Sequence, residues 1–254
     1  MKKWQKITAS VCLVSWTYWG YAYFKHKRVQ EKTKAKAAAK VAIKKRDLVG
    51  STDPDDQITL RVEHPSNLQD EKSLKGRTIW VSAGGQMDFY PFNGKAVDFN
   101  RSAGILLGAQ KILVKDAVEQ VAPRYSSTRF PDADAEVLLI FTLPDDPRNP
   151  TKEYGVAVGD REGRDYNVIT DQLFFYDDPH QLYAHWGPKV WDSIDNHIAS
   201  IGMTERQLQL ALGQVSTPRG DIMGDRSVEF DNQGKPKLVT FSKGKASEIR
   251  DESR

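Results

Sequence analysis

The stretch that decides the fold of the carboxyl-terminal region is Gly202–Gly213, with the sequence GMTERQLQLALG. Thr204 is a favourable helix N-cap residue, and Gln207 stands three positions later, where it can complete a capping box. Gly213 is typical of the residue that ends a helix. Three apolar residues recur at helical spacing and predict a buried face: Leu208, Ala211 and Leu212. The stretch therefore predicts a short amphipathic helix.

A second helix is predicted immediately before this one. Gly187-Pro188 interrupts the chain, and apolar residues then recur at helical spacing: Val190, Trp191, Ile194 and Ile198. Polar residues fill the opposite face: Asp192, Ser193, Asp195 and Asn196. This helix is expected to end at Gly202.

Three strands are predicted after Gly213, because apolar and polar residues alternate in segments separated by turn formers. The turns are Asn232–Lys235 and Lys243-Gly244, and the strands are Arg226–Asp231, Lys237–Ser242 and Lys245–Arg250. Residues 188–250 are therefore predicted to form two helices packed on a three-stranded antiparallel meander.

The stretch GMTERQLQLALG resembles the Gly-Met-Thr-x-x-Gln/Glu-Val-x-x-x-Leu-Gly signature of the SmpA/OmlA (BamE-like) family. Val215 stands where that family often has proline, and the lipoprotein cysteine of the family is missing. The resemblance implies a helix–helix–meander fold for the carboxyl-terminal domain. It also implies a role in binding other proteins of the bacterial envelope, as in the assembly of outer-membrane proteins.

The region between residues 74 and 178 is predicted to be rich in β-strands, because short apolar runs alternate with turn formers. Asn93-Gly94 is the clearest hairpin signal, and Asp116–Val121 is predicted as one helical turn. Many short strands in sequence favour a small barrel or a strongly bent sheet. The predicted strands are Thr78–Val81, Met87–Pro91, Ala96–Phe99, Lys111–Lys115, Val137–Thr142, Tyr154–Val158, Tyr166–Thr170 and Gln172–Tyr176. In the polar linker before this region, Ile58–Val62 could form one short strand.

The stretch FFYDDPHQLYAHW, residues 174–186, concentrates aspartates and histidines. With Asp178 as N-cap, Pro179 falls at the first helical position and Gln181 three residues after the cap, which is the pattern of a helix start. His180 and His185 are five positions apart and lie on different faces of a helix, unlike a helical metal pair. We interpret the stretch as a strand-to-helix junction. The alternative is a metal or acid–base site in which Asp177 orients His180.

The amino-terminal segment Ile7 to Phe24 contains no charged residue. Its 18 residues would span about 27 Å as a helix, which is close to the thickness of a bilayer core. No convincing small-x-small cleavage site precedes Lys25, so an uncleaved signal-anchor is predicted within residues 1–28. Five aromatic residues suited to the membrane interface are the predicted membrane-anchoring residues: Trp16, Tyr18, Trp19, Tyr21 and Tyr23.

Charge is strongly segregated along the chain. Residues 1–46 contain 13 Lys or Arg and one acid, Glu31, whereas the rest of the chain carries a net charge of −9. A basic arm on an acidic body argues against a nucleic-acid partner. Residues 25–46 could form a solvated stalk or a helix on anionic lipid, and the sequence leaves both alternatives open.

The predicted fold class is α+β, with four segments along the chain. A transmembrane anchor occupies residues 1–28, and a basic stalk and linker occupy residues 29–73. A β-rich domain follows over residues 74–178, and a BamE-like helix–helix–three-stranded meander domain over residues 179–250. We expect a single-pass protein of the bacterial inner membrane. The sequence does not decide on which side of the membrane the soluble body lies.

The leading functional hypothesis is a non-enzymatic binding or scaffold protein of the bacterial envelope that recognises a protein partner. No catalytic, cofactor-binding or metal-binding residue is assigned on this hypothesis. One alternative is a metal-dependent or acid–base enzyme with a site near Asp177, His180 and His185. Another is a β-barrel that binds a nucleotide or a lipid.

Overall fold

A computed structural model describes residues 54–123, 129–130, 133–219 and 226–252 of the chain. Contacts divide the chain into two units, Met1–Gln57 and Ile58–Arg254. The first unit is described only at Pro54–Gln57, which forms a 3₁₀ turn. All the elements named below belong to the second unit.

The second unit has a mixed α+β fold rich in strands. Its strands are β1 Thr78–Val81, β2 Asp88–Pro91, β3 Gly104–Ile105, β4 Lys111–Gln120, β5 Ala135–Thr142, β6 Glu153–Glu162, β7 Asp165–Val168, β8 Phe174–Phe175, β9 Val215–Arg219, β10 Arg226–Phe230, β11 Lys237–Ser242 and β12 Lys245–Asp251. Its α-helices are α1 Leu68–Lys72, α2 Thr170–Leu173, α3 Pro179–Leu182, α4 Pro188–Asp195 and α5 Glu205–Leu212.

The larger sheet is a curled half-barrel with the strand order β3-β2-β6-β5-β4-β1-β8, and β7 pairs with β6. All eight residues of the central strand β5 are buried. Alternate side chains of β5 point to different faces of a sheet, and they enter two separate clusters: Val137, Leu139 and Phe141 in one, and Leu138 and Ile140 in the other. The sheet is therefore covered on both faces, and the predicted bent sheet is confirmed.

Several local predictions in this region were wrong. β4 continues without interruption to Gln120. The predicted helical turn at Asp116–Val121 is therefore a strand over all but its last residue. The register shifts between Val114 and Asp116, and β4 stays paired with β5 on both sides of the shift. Pairing to a long neighbouring strand thus overrides the local pattern. Ala96–Phe99 contributes only an isolated bridge, and Ile58–Val62 is not a strand.

Most of the carboxyl-terminal prediction is confirmed, but the first helix is shorter than predicted. α4 ends at Asp195 and not at Gly202, so Ile198, predicted on its buried face, lies after the helix and is 56% exposed. Thr204 and Gln207 form the expected capping box at α5, and the three predicted strands appear as β10, β11 and β12. Inward-facing side chains of the sheet are fully buried against α4 and α5, as in Val228, Phe230 and Val239. The meander is extended by β9, so this sheet has four strands in the order β12-β11-β10-β9.

β9 was missed because its sequence, Val215–Arg219, contains Pro218. Proline cannot donate to a ladder, so a proline within a run argues against a central strand. β9 lies at the edge of its sheet, and among the described strands it pairs with β10 alone. An edge position accommodates the proline.

The helix α5 is fitted closely to the half-barrel. A Cβ atom on Gly108 would overlap the carbonyl oxygen of Leu210, and Gln86 Nε2 donates to the carbonyl oxygens of Gln209 at 3.0 Å and Leu210 at 3.3 Å. The predicted boundary between residues 178 and 179 lies inside this compact unit. Residues 58–73, predicted as part of the linker, also belong to it.

Candidate functional site

Asp178 starts helix α3 and also positions a histidine. Its carboxylate oxygen Oδ1 accepts a hydrogen bond from the backbone N–H of His180 at 2.9 Å, and Pro179 occupies the first turn. The helix start predicted for this stretch is therefore confirmed. The same oxygen lies 3.0 Å from His180 Nδ1, so the helix cap and the imidazole ring are fixed by one carboxylate.

His180 lies between two carboxylates. Its Nε2 is 3.1 Å from Asp195 Oδ1, at the end of α4, so the ring joins α3 to α4. The ring also stacks on Trp191, with the ring centroids 4.1 Å apart and a tilt of 30°. A neutral imidazole carries one N–H and can donate to one of these carboxylates, whereas an imidazolium donates to both.

The imidazole lines an open cleft of about 560 Å³. The half-barrel provides one wall, and α3, α4 and the residues after α4 provide the other. The lining residues are Trp80, Leu107, Gly108, Ala109, Gln110, Lys111, Asp145, Asp178, His180, Asp195 and His197. The charges of the half-barrel wall are also paired, because Lys111 Nζ lies 3.2 Å from Asp145 Oδ1.

His197 is the second histidine of the cleft. Its φ of +55° places the backbone in the left-handed region, which is uncommon for a side chain of this size. Burial lowers the pKa of His197 from its usual value, although a hydrogen bond to the backbone of Ala211 opposes this effect. Nδ1 is buried and has no hydrogen-bond partner among the described residues. Burial thus disfavours the charged form of the His197 ring, while the nearby charge of Asp195 favours it.

The structure assembles a different set of residues from the predicted trio Asp177, His180 and His185. Asp177 and His185 are exposed and do not line the cleft. His185 instead packs beside Tyr183 and Trp186, with centroid distances of 6.3 and 6.2 Å. Across the part of the chain described, no group of three or more histidine, cysteine, aspartate or glutamate residues could hold a metal ion.

Asp195 is the partner that sequence reasoning missed. Its position among polar residues predicted only an outward-facing side chain on α4, and it is separated from His180 by 15 residues. The spacing 180 to 195 carries no helical or strand signal. Only the packing of α3 against α4 brings these side chains together.

A second surface is formed by the residues that follow the cleft residue His197 in the sequence. Ile198 and Ile201 are 56% and 64% exposed, and the next residues pair with the edge strand β12. Gly202 N–H donates to the carbonyl oxygen of Ala246 at 2.8 Å, and Ala246 N–H donates to that of Met203 at 2.8 Å. Beyond Ala246 the outer edge of β12 has no strand partner within the described residues. The loop thus connects the cleft to an open sheet edge.

The predicted membrane-anchoring residues lie outside the described residues: Trp16, Tyr18, Trp19, Tyr21 and Tyr23. None of the helices that the structure describes has the length and apolar character needed to cross a membrane.

Comparisons with models of protein families, with characterised proteins and with solved structures found no match. The resemblance of residues 202–213 to the BamE-like signature stays a prediction.

Proposed function

We propose that this chain is a membrane-anchored, non-enzymatic binding protein of the bacterial envelope that recognises a protein partner. The observation that supports this most directly is the surface formed by Ile198, Ile201 and the outer edge of β12 from Ser247 to Asp251, which we call the edge surface. An extended segment can add to an exposed sheet edge through main-chain hydrogen bonds.

Apolar side chains beside this edge would supply contact area that is buried only in the complex. Exposed isoleucines that stand singly need no explanation, but these two lie three residues apart in one short loop. That loop is held against β12 by Gly202 and Met203. The edge surface therefore combines apolar area with backbone groups that have no strand partner among the described residues, and strand addition requires both features.

The order of elements over residues 188–251 adds support. The BamE-like resemblance implies this order, in which two helices precede an antiparallel sheet. The proposed role in envelope assembly comes from the same resemblance. The uncharged segment Ile7–Phe24, flanked by lysines, contributes the inner-membrane anchor. The aromatic residues of that segment would hold the anchor at the interface, and residues 25–46 would contact anionic lipid.

Partner capture in native membranes tests the binding role. The tagged full-length chain is crosslinked in membranes of its own cells, and partners are identified by mass spectrometry. Ile198→Ser with Ile201→Ser should abolish the crosslink to a specific partner while the circular dichroism spectrum stays unchanged. Ile105→Ser with Val121→Ser is the matched control, because these side chains are 38% and 68% exposed elsewhere on the body. Equal recovery of every partner by both double variants would contradict the proposal.

Sedimentation tests the anchor separately. The full-length chain should pellet with membranes after washing in high salt and be released only by detergent. A chain that stays in the supernatant without detergent would overturn the membrane assignment. Protease treatment of spheroplasts would then show which side carries the body.

A second candidate, an enzyme with an acid–base or metal site at His180, is favoured by the position of that ring in an open cleft beside Asp178 and Asp195. Elemental analysis of the purified full-length chain distinguishes the two candidates. Stoichiometric zinc or iron that is lost on His180→Asn substitution would favour the enzyme.

A further inference from the structure

A second depression lies on the half-barrel, and none of its lining residues also lines the cleft at His180. The segment that joins β5 to β6 borders both, because it contributes Asp145 to the cleft. Its walls are the segment before β3 and the segment that joins β5 to β6. Its volume is about 430 Å³, and its lining residues are Pro91, Arg101, Ser102, Ala103, Asp146, Arg148, Asn149, Lys152 and Tyr154. The two walls meet where Pro91 of β2 pairs with Tyr154 of β6.

Three cations surround this depression: Arg101, Arg148 and Lys152. None of them forms an ion pair with a carboxylate of a described residue. The one acid of the lining, Asp146, accepts a hydrogen bond from the backbone N–H of Arg148 at 2.9 Å. The lining thus has a surplus of positive charge, and clustered like charges raise the local concentration of counter-ions.

The wall residues are positioned by hydrogen bonds. Asp146 N–H donates to the carbonyl oxygen of Leu143 at 3.1 Å, and Lys152 N–H donates to that of Asn149 at 3.2 Å. These two turns place Arg148 and Lys152 on one wall. On the other wall, Ser102 Oγ donates to Asp88 Oδ1 at 2.8 Å, which fixes the residue next to Arg101.

Tyr154 forms the floor. Its ring is 5% exposed and packs edge-on against Phe89, with the centroids 4.9 Å apart. Lys152 Nζ lies 5.4 Å from the centre of the Tyr154 ring, so this ammonium group is held over the floor. Burial, with the charge of Asp146, raises the pKa of Tyr154, so the hydroxyl remains a proton donor.

We propose that this depression binds a phosphate group of an anionic ligand. Guanidinium groups match the geometry of phosphate oxygens and can donate two parallel hydrogen bonds. Lys152 would supply a further charge and the Tyr154 hydroxyl a neutral donor. The phosphate could belong to a lipid headgroup or to a soluble phosphorylated compound, and both sources present the same oxygens to the site.

Amide NMR shifts of the full-length chain in neutral detergent provide a test with residue resolution. On titration with inorganic pyrophosphate, signals of residues 101–103 and 146–154 should shift together with a single dissociation constant. Neutralising the three cations with Arg101→Gln, Arg148→Gln and Lys152→Gln should weaken this binding by about tenfold or more. The matched control changes three exposed cations elsewhere: Lys75→Gln, Arg164→Gln and Lys235→Gln.

A second arm distinguishes the two sources of phosphate. The chain is placed in nanodiscs of phosphatidylcholine with or without phosphatidylglycerol. Shifts of the same signals with phosphatidylglycerol assign the site to a headgroup, whereas shifts with pyrophosphate alone assign it to a soluble ligand. The proposal is overturned if pyrophosphate shifts only signals of the basic residues 1–46, or if the triple variant and its control bind equally well.

Discussion

At the scale of single residues, Glu71 is a buried carboxyl group that makes stability depend on pH. It is fully buried on α1, and Thr170 Oγ1 donates to its Oε1 at 2.6 Å. Its Oε2 is buried without a partner among the described residues. The pKa of Glu71 is raised to about 7, mainly by burial. The hydrogen bond from Thr170 lowers this pKa, whereas the charges of Asp171 and Asp70 raise it further.

A raised carboxyl pKa makes stability fall as the pH rises. Between about pH 4.5 and pH 7 the folded state holds a proton that the unfolded state has lost, so the free energy of unfolding decreases across this window. Below it both states are protonated, and above it the full cost of burying the charge is present. Glu71 thus favours the fold under mildly acidic conditions.

Glu71→Gln should remove this dependence, because glutamine is neutral at every pH in the window. Relative to the unmodified chain, the free energy of unfolding of the variant should rise by roughly 1–3 kcal/mol between pH 5 and pH 8. Urea denaturation at the two pH values measures the change. Glu162→Gln, at an exposed position, is the control and should show no such rise. Parallel behaviour of both variants would rule out Glu71 as the source.

At the scale of elements, α5 depends on its amino-terminal cap. Thr204 Oγ1 accepts from the Gln207 N–H, and Gln207 Oε1 accepts from the Thr204 N–H at 2.9 Å. Thr204→Ala leaves N–H groups of the first turn without this partner and should lower the free energy of unfolding by about 1 kcal/mol. Thr204→Ser retains the hydroxyl and should cost much less. Equal losses in denaturant titrations of both variants would show that the methyl group, not the cap, matters.

The other end of α5 depends on a glycine of the half-barrel. Because a Cβ on Gly108 would overlap the carbonyl oxygen of Leu210, Gly108→Ala must displace either the helix or the strand connection. We expect a loss of about 2–4 kcal/mol, comparable to severe overpacking in a core.

The matched control for this substitution is Gly94→Ala. Gly94 has a φ of +87°, and apart from Gly94 and its two chain neighbours no atom of the described residues lies within 4 Å of the point that its Cβ would occupy. Alanine there costs only the strain of the left-handed backbone, about 1–2 kcal/mol. Thermal or urea unfolding compares the two variants. Similar losses would mean that the contact between Gly108 and α5 relaxes easily.

At the scale of the whole molecule, Ile58–Arg254 forms one compact unit although it contains two sheets. The core beneath the four-stranded sheet includes Ala109 and packs against Phe175, both from the half-barrel region. Gln86 adds hydrogen bonds to the last turn of α5. These shared contacts couple the two sheets.

The two sheets should therefore unfold together. Hydrogen exchange of the full-length protein, followed by mass spectrometry across a denaturant series, should give the same midpoint for β5 and β11, because both exchange only by global opening. Exchange of β11 at a clearly lower denaturant concentration would show that the carboxyl-terminal sheet opens independently.

What the sequence determined by itself is local. The cap at Asp178, the capping box at Thr204 and the three strands of the meander depend on residues within a few positions of each other. Hydrogen bonds of this range and side-chain alternation act before distant parts of the chain meet. That is why these elements could be predicted from single segments.

Only the tertiary structure decided the rest. Continuation of β4 through residues 116–120 depends on its partner strand β5, and the edge strand β9 depends on pairing with β10. The His180–Asp195 contact and the burial of Glu71 beside Thr170 join residues 15 and 99 positions apart. Such contacts form only when packed elements bring the side chains together, because no periodicity in the sequence records them.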